Sequence, residues 1–329
     1  MANEALYQLS YRPITRPKDI RTQTPGRITR SLIALLLFLI ALPNLSACSR
    51  SESRSPGPLR VVVTVPPLVG LIQPLLPDGS SITALMAPGK SEHGYEFTPK
   101  DLATLGAADV VVYIGLGLEP AVETFLKTHP SPSRQVICFA TVADITDPHA
   151  GHHHGPGEEC DHHVDPHLWL DPDLCLKLVD AASAAVRAAA PLVGVADFNP
   201  DSRAADLKAR LRTLDAELKT SLAPAAGRAI VTHHNAWQRL ADRYGLKVAA
   251  VIRGVEGEPT PAAIAAAVDA IRKQNARAVF IEPQFDPQAA RRIADAAGVK
   301  VGVLDPLGSG DYFEMMRTNA NALVSLLAD

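Results

Sequence analysis

Apolar and polar positions alternate in a regular way along most of this chain. From Arg60 onward, short runs rich in β-branched residues are separated by longer segments in which apolar residues recur every three or four positions. This alternation is typical of parallel sheets covered by helices. The runs that predict strands are 60–65, 81–85, 109–114 and 135–139 in the first half, and 228–232, 247–252, 278–281 and 300–304 in the second. We therefore predict an α/β fold, and the length of 329 residues favours about two domains of this kind.

The starts of several helices are marked by a capping residue followed by proline. The pairs are Thr98-Pro99, Asp171-Pro172, Thr260-Pro261 and Asp286-Pro287. In each pair a side-chain oxygen can accept from free backbone amides, and proline presets the backbone angle of the first turn. Gly298 is the expected end of the helix that Asp286 begins.

A longer helix is predicted between the two halves, over 201–222. Its leucines at 207, 211, 214, 218 and 222 fall on one helical face. At ~1.5 Å per residue the helix would be roughly 33 Å long, enough to cross one domain and link it to the next. An ordinary surface helix within one domain would show the same periodicity.

The N-terminal segment has the pattern of a secretion signal. Its apolar run, 32–42, follows Arg27 and Arg30 and is shorter than the ~20 residues of a membrane span. Leu45-Ser46-Ala47-Cys48 follows it and resembles a bacterial lipoprotein cleavage box. That resemblance implies cleavage after residue 47, lipidation of Cys48 and a polar tether over 48–58. The alternative is an uncleaved anchor helix in which the cysteine is incidental.

Charge and cysteine content exclude two classes of protein. Residues 1–47 hold six basic and two acidic side chains, so their removal changes the formal net charge from −3 to −7. A basic footprint for nucleic acid is therefore absent. Apart from Cys48, the cysteines are Cys138, Cys160 and Cys175. Three thiols cannot all pair within one chain, so we do not expect a disulfide scaffold.

The segment 141–164 has no apolar period and is rich in histidine and acidic residues. Its histidines are His149, His152, His153, His154, His162 and His163. Neutral imidazole is a ligand that suits zinc better than calcium or magnesium. We interpret the segment as a long solvated loop that collects zinc, with an inert polar insertion as the alternative.

A second set of candidate ligands lies where predicted strands end. His93 follows the second strand, His167 stands before the helix that Asp171 caps, His234 follows strand 228–232, and Asp305 follows strand 300–304. Ligands of open parallel sheets bind outside the carboxyl ends of the strands. Three imidazoles and a carboxylate would make a four-coordinate zinc site, although any one of these residues could instead cap a helix or form a turn.

Five ordered motifs carry a resemblance to a known family. They are His93-x-Tyr-x-x-Thr-Pro, Asp-Pro-His167-x-Trp-x-Asp-Pro, Thr-His-His234-Asn-Ala-Trp, Phe280-Ile-Glu-Pro and Leu304-Asp305-Pro-Leu-Gly. Together they resemble the zinc and manganese substrate-binding proteins of ATP-binding-cassette importers, the cluster A-I or ZnuA/TroA-like group. The resemblance extends from residue 59 to the end of the chain.

The resemblance implies two α/β lobes joined by a rigid helix, with the metal in the cleft between them. Its boundaries would be 59–199 for the first lobe, 200–223 for the linking helix and 224–329 for the second lobe. The implied ligands are His93, His167, His234 and Asp305. The motif aligns His234 and not His233, and Asn235 stands where the family usually has aspartate. A histidine at position 234 favours zinc, because manganese members tend to have a carboxylate there.

The expected protein is therefore not an enzyme but an extracytoplasmic, lipid-anchored monomer. It would bind Zn²⁺, with Mn²⁺ less suited, and deliver it to a membrane permease and its ATPase subunit. A manganese- or iron-specific member and a zinc-storing surface protein are the alternatives. A zinc hydrolase is a weaker one, because a catalytic zinc usually keeps one position open for water and the chain has no His-Glu-x-x-His motif.

Overall fold

The computed structural model describes residues 57–87, 89–93, 95–146, 164–252 and 260–328. The predicted signal segment and Cys48 lie outside the described residues. So do the candidate loop ligands His149, His152, His153, His154, His162 and His163.

The first half of the described chain forms a parallel sheet of four strands. These are β1 (Arg60–Val63), β2 (Ser81–Ala84), β3 (Val110–Tyr113) and β4 (Gln135–Cys138), in the order β2-β1-β3-β4. The helices of this half are α1 (Pro67–Ile72), α2 (Pro99–Ala107), α3 (Pro120–Thr128), α4 (Phe139–Val142) and α5 (Pro172–Ala189). All four strands predicted for this half are confirmed.

The second half repeats the arrangement. Its strands are β5 (Ala229–Thr232), β6 (Lys247–Val251), β7 (Ala278–Ile281) and β8 (Lys300–Val303), again all parallel and in the order β6-β5-β7-β8. The helices are α7 (Gln238–Tyr244), α8 (Pro261–Gln274), α9 (Gln288–Ala297) and α10 (Tyr312–Leu327). After β5 the chain moves to β6 at one edge of the sheet, and after β7 it moves to β8 at the opposite edge. The neighbouring strands β5 and β7 therefore flank a topological switch point.

Helix α6 (Asp201–Leu222) lies between the two halves and has the predicted length. The predicted leucine face is confirmed, because Leu207, Leu211, Leu214, Leu218 and Leu222 are all buried. It packs against α5 of the first lobe and against α7 and α10 of the second. The lobe boundaries at its two ends stay predictions.

The predicted helix starts are confirmed at three positions and shifted at one. Thr98, Asp171 and Thr260 each accept a backbone amide hydrogen bond at the start of α2, α5 and α8. Helix α9 begins at Gln288, one residue later than predicted, with Pro287 at the capping position, although Asp286 Oδ1 still accepts from the Gln288 amide. Gly298 ends α9 with a positive φ of 71°, a left-handed conformation that glycine adopts without steric cost.

The two lobes share one continuous hydrophobic core. A single cluster of buried side chains includes Val63 and Val112 of the first sheet, Leu214 of α6 and Phe280 of the second sheet. Hydrogen bonds also cross between the lobes, from Trp169 Nε1 to the Pro306 carbonyl at 2.6 Å and from the Tyr312 hydroxyl to the Trp169 carbonyl at 2.9 Å. These contacts pack and bond the two lobes directly against each other. In the described residues, no helix combines the length and apolar character needed to cross a membrane.

Candidate metal centre

The three predicted histidine ligands come from separate elements and meet between the lobes. His93 lies between β2 and α2, His167 stands directly before the 3₁₀ turn Leu168–Leu170 that leads into α5, and His234 lies two residues after β5. The ring centroid of His93 lies 5.3 Å from that of His167 and 5.3 Å from that of His234. The centroids of His167 and His234 are 5.0 Å apart. The loop after β2, the segment before α5 and the loop after β5 thus bring the three imidazoles to one point.

Glu92 completes this group. Among the described residues, Glu92, His93, His167 and His234 each offer a ligand atom, and these atoms all lie within 4.8 Å of one another. Oε1 of Glu92 is 3.0 Å from His167 Nε2 and 3.2 Å from His234 Nε2. Its other oxygen, Oε2, is buried and accepts no hydrogen bond from the described residues. Burial of a carboxylate oxygen that accepts no hydrogen bond costs free energy unless a cation is bound there. This group of ligand atoms therefore suits a metal ion.

His167 is oriented by a neighbouring carboxylate. Asp165 Oδ1 accepts from the His167 backbone amide at 2.9 Å and lies 2.7 Å from the ring atom Nδ1. The Nδ1 side of the ring is therefore occupied, and Nε2 faces the centre of the group. This is the carboxylate–histidine arrangement that fixes the orientation of metal-binding imidazoles.

His234 has the same arrangement with Glu282. Glu282 Oε2 lies 2.5 Å from His234 Nδ1, and Oε1 accepts from the His234 amide and from Trp237 Nε1, both at 3.3 Å. Glu282 is 1% exposed, so water does not compete for these contacts. His234 and Glu282 follow β5 and β7, the two strands that flank the switch point of the second sheet.

Electrostatics distinguish the three histidines. Burial lowers the pKa of His234, but hydrogen bonds with Glu282 and Glu92 outweigh burial and raise it to about 10. Burial also opposes protonation of His167, while Asp165 and Glu92 raise its pKa above the ordinary value. For His93, burial and the nearby His167 lower the pKa to about 4. Burial raises the pKa of Glu92, yet hydrogen bonds from His167 and His234 bring it well below the usual value. Without a metal, the group therefore pairs an ionised Glu92 with a protonated His234, while Asp165 and Glu92 favour the protonated form of His167.

Asp305 is not a member of this group. Its Oδ1 accepts from Gln284 Nε2 at 2.7 Å and from the Leu307 amide at 3.0 Å, while its backbone pairs with the side-chain amide of Asn319. His233, the neighbour of His234, stacks instead on Phe285, with ring centroids 4.8 Å apart. Three of the four predicted ligands are thus brought together with Glu92, and the ligand role of Asp305 stays a prediction.

Two carboxylates of the site were not singled out as site residues in the sequence. Glu92 stands next to His93 in a polar loop and carries no periodic signal. Glu282 stands at a predicted strand end in Phe280-Ile-Glu-Pro, and the sequence favours strand termination over a place in the cleft. Its position directly after β7, beside the strand that leads to His234, is the signal that could have identified it.

Known proteins of similar sequence are zinc-binding proteins. The family model described as "Zinc-uptake complex component A periplasmic" (ZnuA) matches residues 61–326. The zinc-binding lipoprotein AdcA of Streptococcus pneumoniae (strain ATCC BAA-255 / R6) is 29% identical over 313 residues, which cover 88% of this chain and 60% of AdcA. The chain thus spans less than two thirds of the length of that relative. The high-affinity zinc uptake system protein ZnuA of Paracoccus denitrificans (strain Pd 1222) is 27% identical over 311 residues, covering 82% of this chain and 91% of that protein.

Solved structures agree with the fold. A crystal structure of a ZnuA deletion mutant with zinc bound superposes with a TM-score of 0.69 at 26% identity, covering 83% of this chain and 99% of the other. The predicted fold of two parallel-sheet lobes with a long helix is thereby confirmed, and so is the predicted resemblance. The chain belongs to the family of zinc-uptake complex component A, the periplasmic ZnuA proteins.

Proposed function

We propose that this protein binds one zinc ion between its lobes, outside the cytoplasmic membrane, and delivers it to an ATP-binding-cassette importer. The observation that carries the proposal is the buried group of three imidazoles and one carboxylate, in which Asp165 and Glu282 hold two of the imidazoles from behind. Family membership supports the transport role, and the names of AdcA and ZnuA support zinc as the metal.

The spacing of the donor atoms suits a tetrahedral ion. Bonds of ~2.0–2.1 Å to four ligands place neighbouring donor atoms about 3.3 Å apart. In the group, the Nε2 atoms of His167 and His234 are 3.2 Å apart, and Glu92 Oε1 lies 3.0 and 3.2 Å from them. We therefore propose His93, His167 and His234 as zinc ligands, with Glu92 as the fourth. Asp305 is the alternative fourth ligand, and it would first have to leave Gln284 and the Leu307 amide.

The chemistry of the donor set favours capture over catalysis. Four protein donors fill the preferred shell of zinc and leave no position for the water that a zinc hydrolase needs. Three imidazoles also favour zinc over manganese, which prefers oxygen ligands. We infer a transport protein without enzymatic activity.

The remaining features of the proposal concern location and partners. Lipidation of Cys48 would tether a monomer to the membrane surface, and a permease with its ATPase subunit would receive the ion. The histidine-rich segment 141–164 would collect zinc near the site as an accessory. The name of AdcA as a lipoprotein supports the anchor.

A metal titration tests the proposal. Metal-stripped protein lacking residues 149–163 is titrated with zinc in competition with manganese, and the titration is repeated with His234→Ala and with His129→Ala. His129 is exposed and lies outside the group, so it is the matched control. We expect one tight zinc equivalent that manganese does not displace, weakened by His234→Ala and unchanged by His129→Ala.

Two other outcomes would change the conclusion. The absence of a tight site once the loop is removed would contradict the four-ligand centre and favour zinc storage by the loop. A preference for manganese would leave the fold and the site in place but overturn the choice of metal.

A further inference from the structure

The segment that carries His167 is bonded to the second lobe at both of its ends. By chain order, Asp165 to Trp169 belongs to the first lobe, because it leads into α5. Yet Trp169 Nε1 donates to the carbonyl of Pro306, and the carbonyl of Trp169 accepts from the Tyr312 hydroxyl. The other end of the segment is held by Arg239, which lies on α7 of the second lobe.

Arg239 reaches His167 through a single intermediate residue. Its Nε and Nη2 donate to the Asp165 carbonyl at 3.1 and 2.6 Å, and Nε lies 3.6 Å from Asp165 Oδ2. Oδ1 of the same carboxylate holds the amide and Nδ1 of His167. The guanidinium therefore holds the backbone of Asp165 by two hydrogen bonds, and it attracts the carboxylate that orients the ring as an ion pair.

We propose that Arg239 is a positioning residue of the metal centre, which acts through Asp165 to hold His167 in its ligand orientation. The inference rests on the proposed zinc site and adds a contact that ties the site to the second lobe. A partner that displaces α7 would then loosen His167 without touching the metal. Arg239 thus sets how fast zinc leaves the site.

Arg243 provides a matched control on the same helix. Its side chain is 24% exposed, against 19% for Arg239. It makes two hydrogen bonds to Asp215 of α6, at 2.7 and 2.8 Å, and an ion pair with Asp171 at 3.0 Å. Arg243 therefore holds α7 against the first lobe and the linking helix at least as firmly, but it does not contact Asp165.

The experiment compares zinc release from metal-loaded protein that lacks residues 149–163, after mixing with excess chelator. We expect Arg239→Gln to release zinc about tenfold faster than the unsubstituted chain, at the lower end of the ~10–100-fold effect of losing a partner of a metal ligand. Arg243→Gln should change the rate less than threefold, although thermal unfolding should show a comparable loss of stability in both variants. Equal acceleration by both substitutions would overturn the proposal, because it would show only a general loosening of α7.

The direction in which Arg239→Gln changes the rate of zinc release distinguishes a positioning role from electrostatic repulsion of the ion. Removal of a cation near the site should slow zinc release if electrostatic repulsion dominated, since Zn²⁺ and guanidinium repel each other. Arg239→Lys keeps the charge but loses the two-pronged contact with the carbonyl, so it should also accelerate release. Slower release from Arg239→Gln would contradict the proposal.

A double substitution tests the path through Asp165. Asp165→Ala removes the carboxylate that holds His167 but leaves the carbonyl that Arg239 holds, so adding Arg239→Gln should accelerate release by less than it does in the unsubstituted chain. Effects that multiply in full would show that Arg239 acts by another route and would overturn the inference. A spectrum of the cobalt-loaded protein gives a second readout, because a changed ligand orientation shifts the d–d bands in Arg239→Gln but not in Arg243→Gln. If the unsubstituted chain binds no zinc tightly, the proposed function itself fails, and that result is distinct from all of these.

Discussion

His234 and Glu282 form a short hydrogen bond across the carboxyl ends of two neighbouring strands, with Nδ1 and Oε2 2.5 Å apart. The residues are 48 positions apart in the chain, and the pairing of β5 with β7 brings them together. With Nδ1 held in this way, Nε2 is the ring atom left for the metal.

Loss of the Glu282 carboxylate should weaken zinc binding. We expect Glu282→Gln to raise the zinc dissociation constant about tenfold, because a neutral amide holds Nδ1 less firmly and makes the imidazole a weaker ligand. Competition with a chromogenic chelator measures the change.

Glu119→Gln is the control for that substitution. Glu119 is a buried residue directly before α3, and its carboxylate accepts from Thr64 at 2.6 Å and from the Ile114 amide at 3.0 Å, outside the metal group. Its substitution should leave the zinc dissociation constant unchanged. If both variants weakened zinc binding equally, Glu282 would affect binding only through the stability of the fold.

The fourth ligand can be assigned by comparing two carboxylates. We expect Glu92→Gln to weaken zinc binding more than Asp305→Asn, because Glu92 lies within the ligand group and Asp305 is engaged with Gln284. Titration of both variants under the same conditions gives the order. The reverse order would assign Asp305 as the ligand and make Glu92 a counter-ion of the metal-free state.

Zinc binding should tighten as the pH rises. The pKa of His234 is raised to about 10, so its ring is doubly protonated at neutral pH, and the pKa of His167 is raised as well. Zinc needs the lone pair on Nε2 and must displace the extra proton of His234, while His93, whose pKa is lowered to about 4, has none to lose. Near neutral pH, the affinity should therefore rise by about tenfold per pH unit or more, tenfold being the slope for one released proton.

Calorimetry in buffers of different ionisation enthalpy counts the released protons directly. Release of at least one proton per zinc at pH 7 is the expected result. Release of none would show that both imidazoles are neutral before the metal binds.

Gly70 should be intolerant of a side chain because two lobes meet there. A Cβ at Gly70 would lie 2.7 Å from the Gly310 carbonyl oxygen and from the Tyr312 amide nitrogen, which are backbone atoms and cannot rotate away. We expect Gly70→Ala to reduce the free energy of unfolding by about 1–3 kcal/mol, the usual cost of overpacking. Urea denaturation measures it.

Gly106→Ala is the matched substitution in another helix. A Cβ at Gly106 would be 3.4 Å from Phe125, an ordinary contact. Since alanine favours helix over glycine, this variant should gain about 0.5–1 kcal/mol. A loss of stability at Gly106 as large as at Gly70 would contradict the steric explanation.

Most of the fold could be predicted because its signals are local. All eight predicted strands and the leucine face of α6 are present in the described residues, since hydrophobic periodicity reports which side of an element is buried. Strand ends were less predictable. The run 109–114 was predicted as strand, but β3 stops at Tyr113 because the Ile114 amide donates to the Glu119 carboxylate instead of continuing the ladder.

The sequence by itself determined the α/β class and most of the helix caps, and its motifs indicated the three histidines through their resemblance to a known family. The class and the caps follow from backbone hydrogen bonding and apolar spacing within a few neighbouring residues. The tertiary structure alone decided that Glu92 joins the histidines, that Glu282 holds His234 and that Arg239 holds Asp165. Buried carboxylates and guanidinium groups form hydrogen bonds with the polar groups nearest to them, and the packing of the whole chain determines which groups those are. Glu92 Oε1 lies 3.0 Å from His167 Nε2, 75 residues away in the chain, and no pattern around Glu92 indicates that contact.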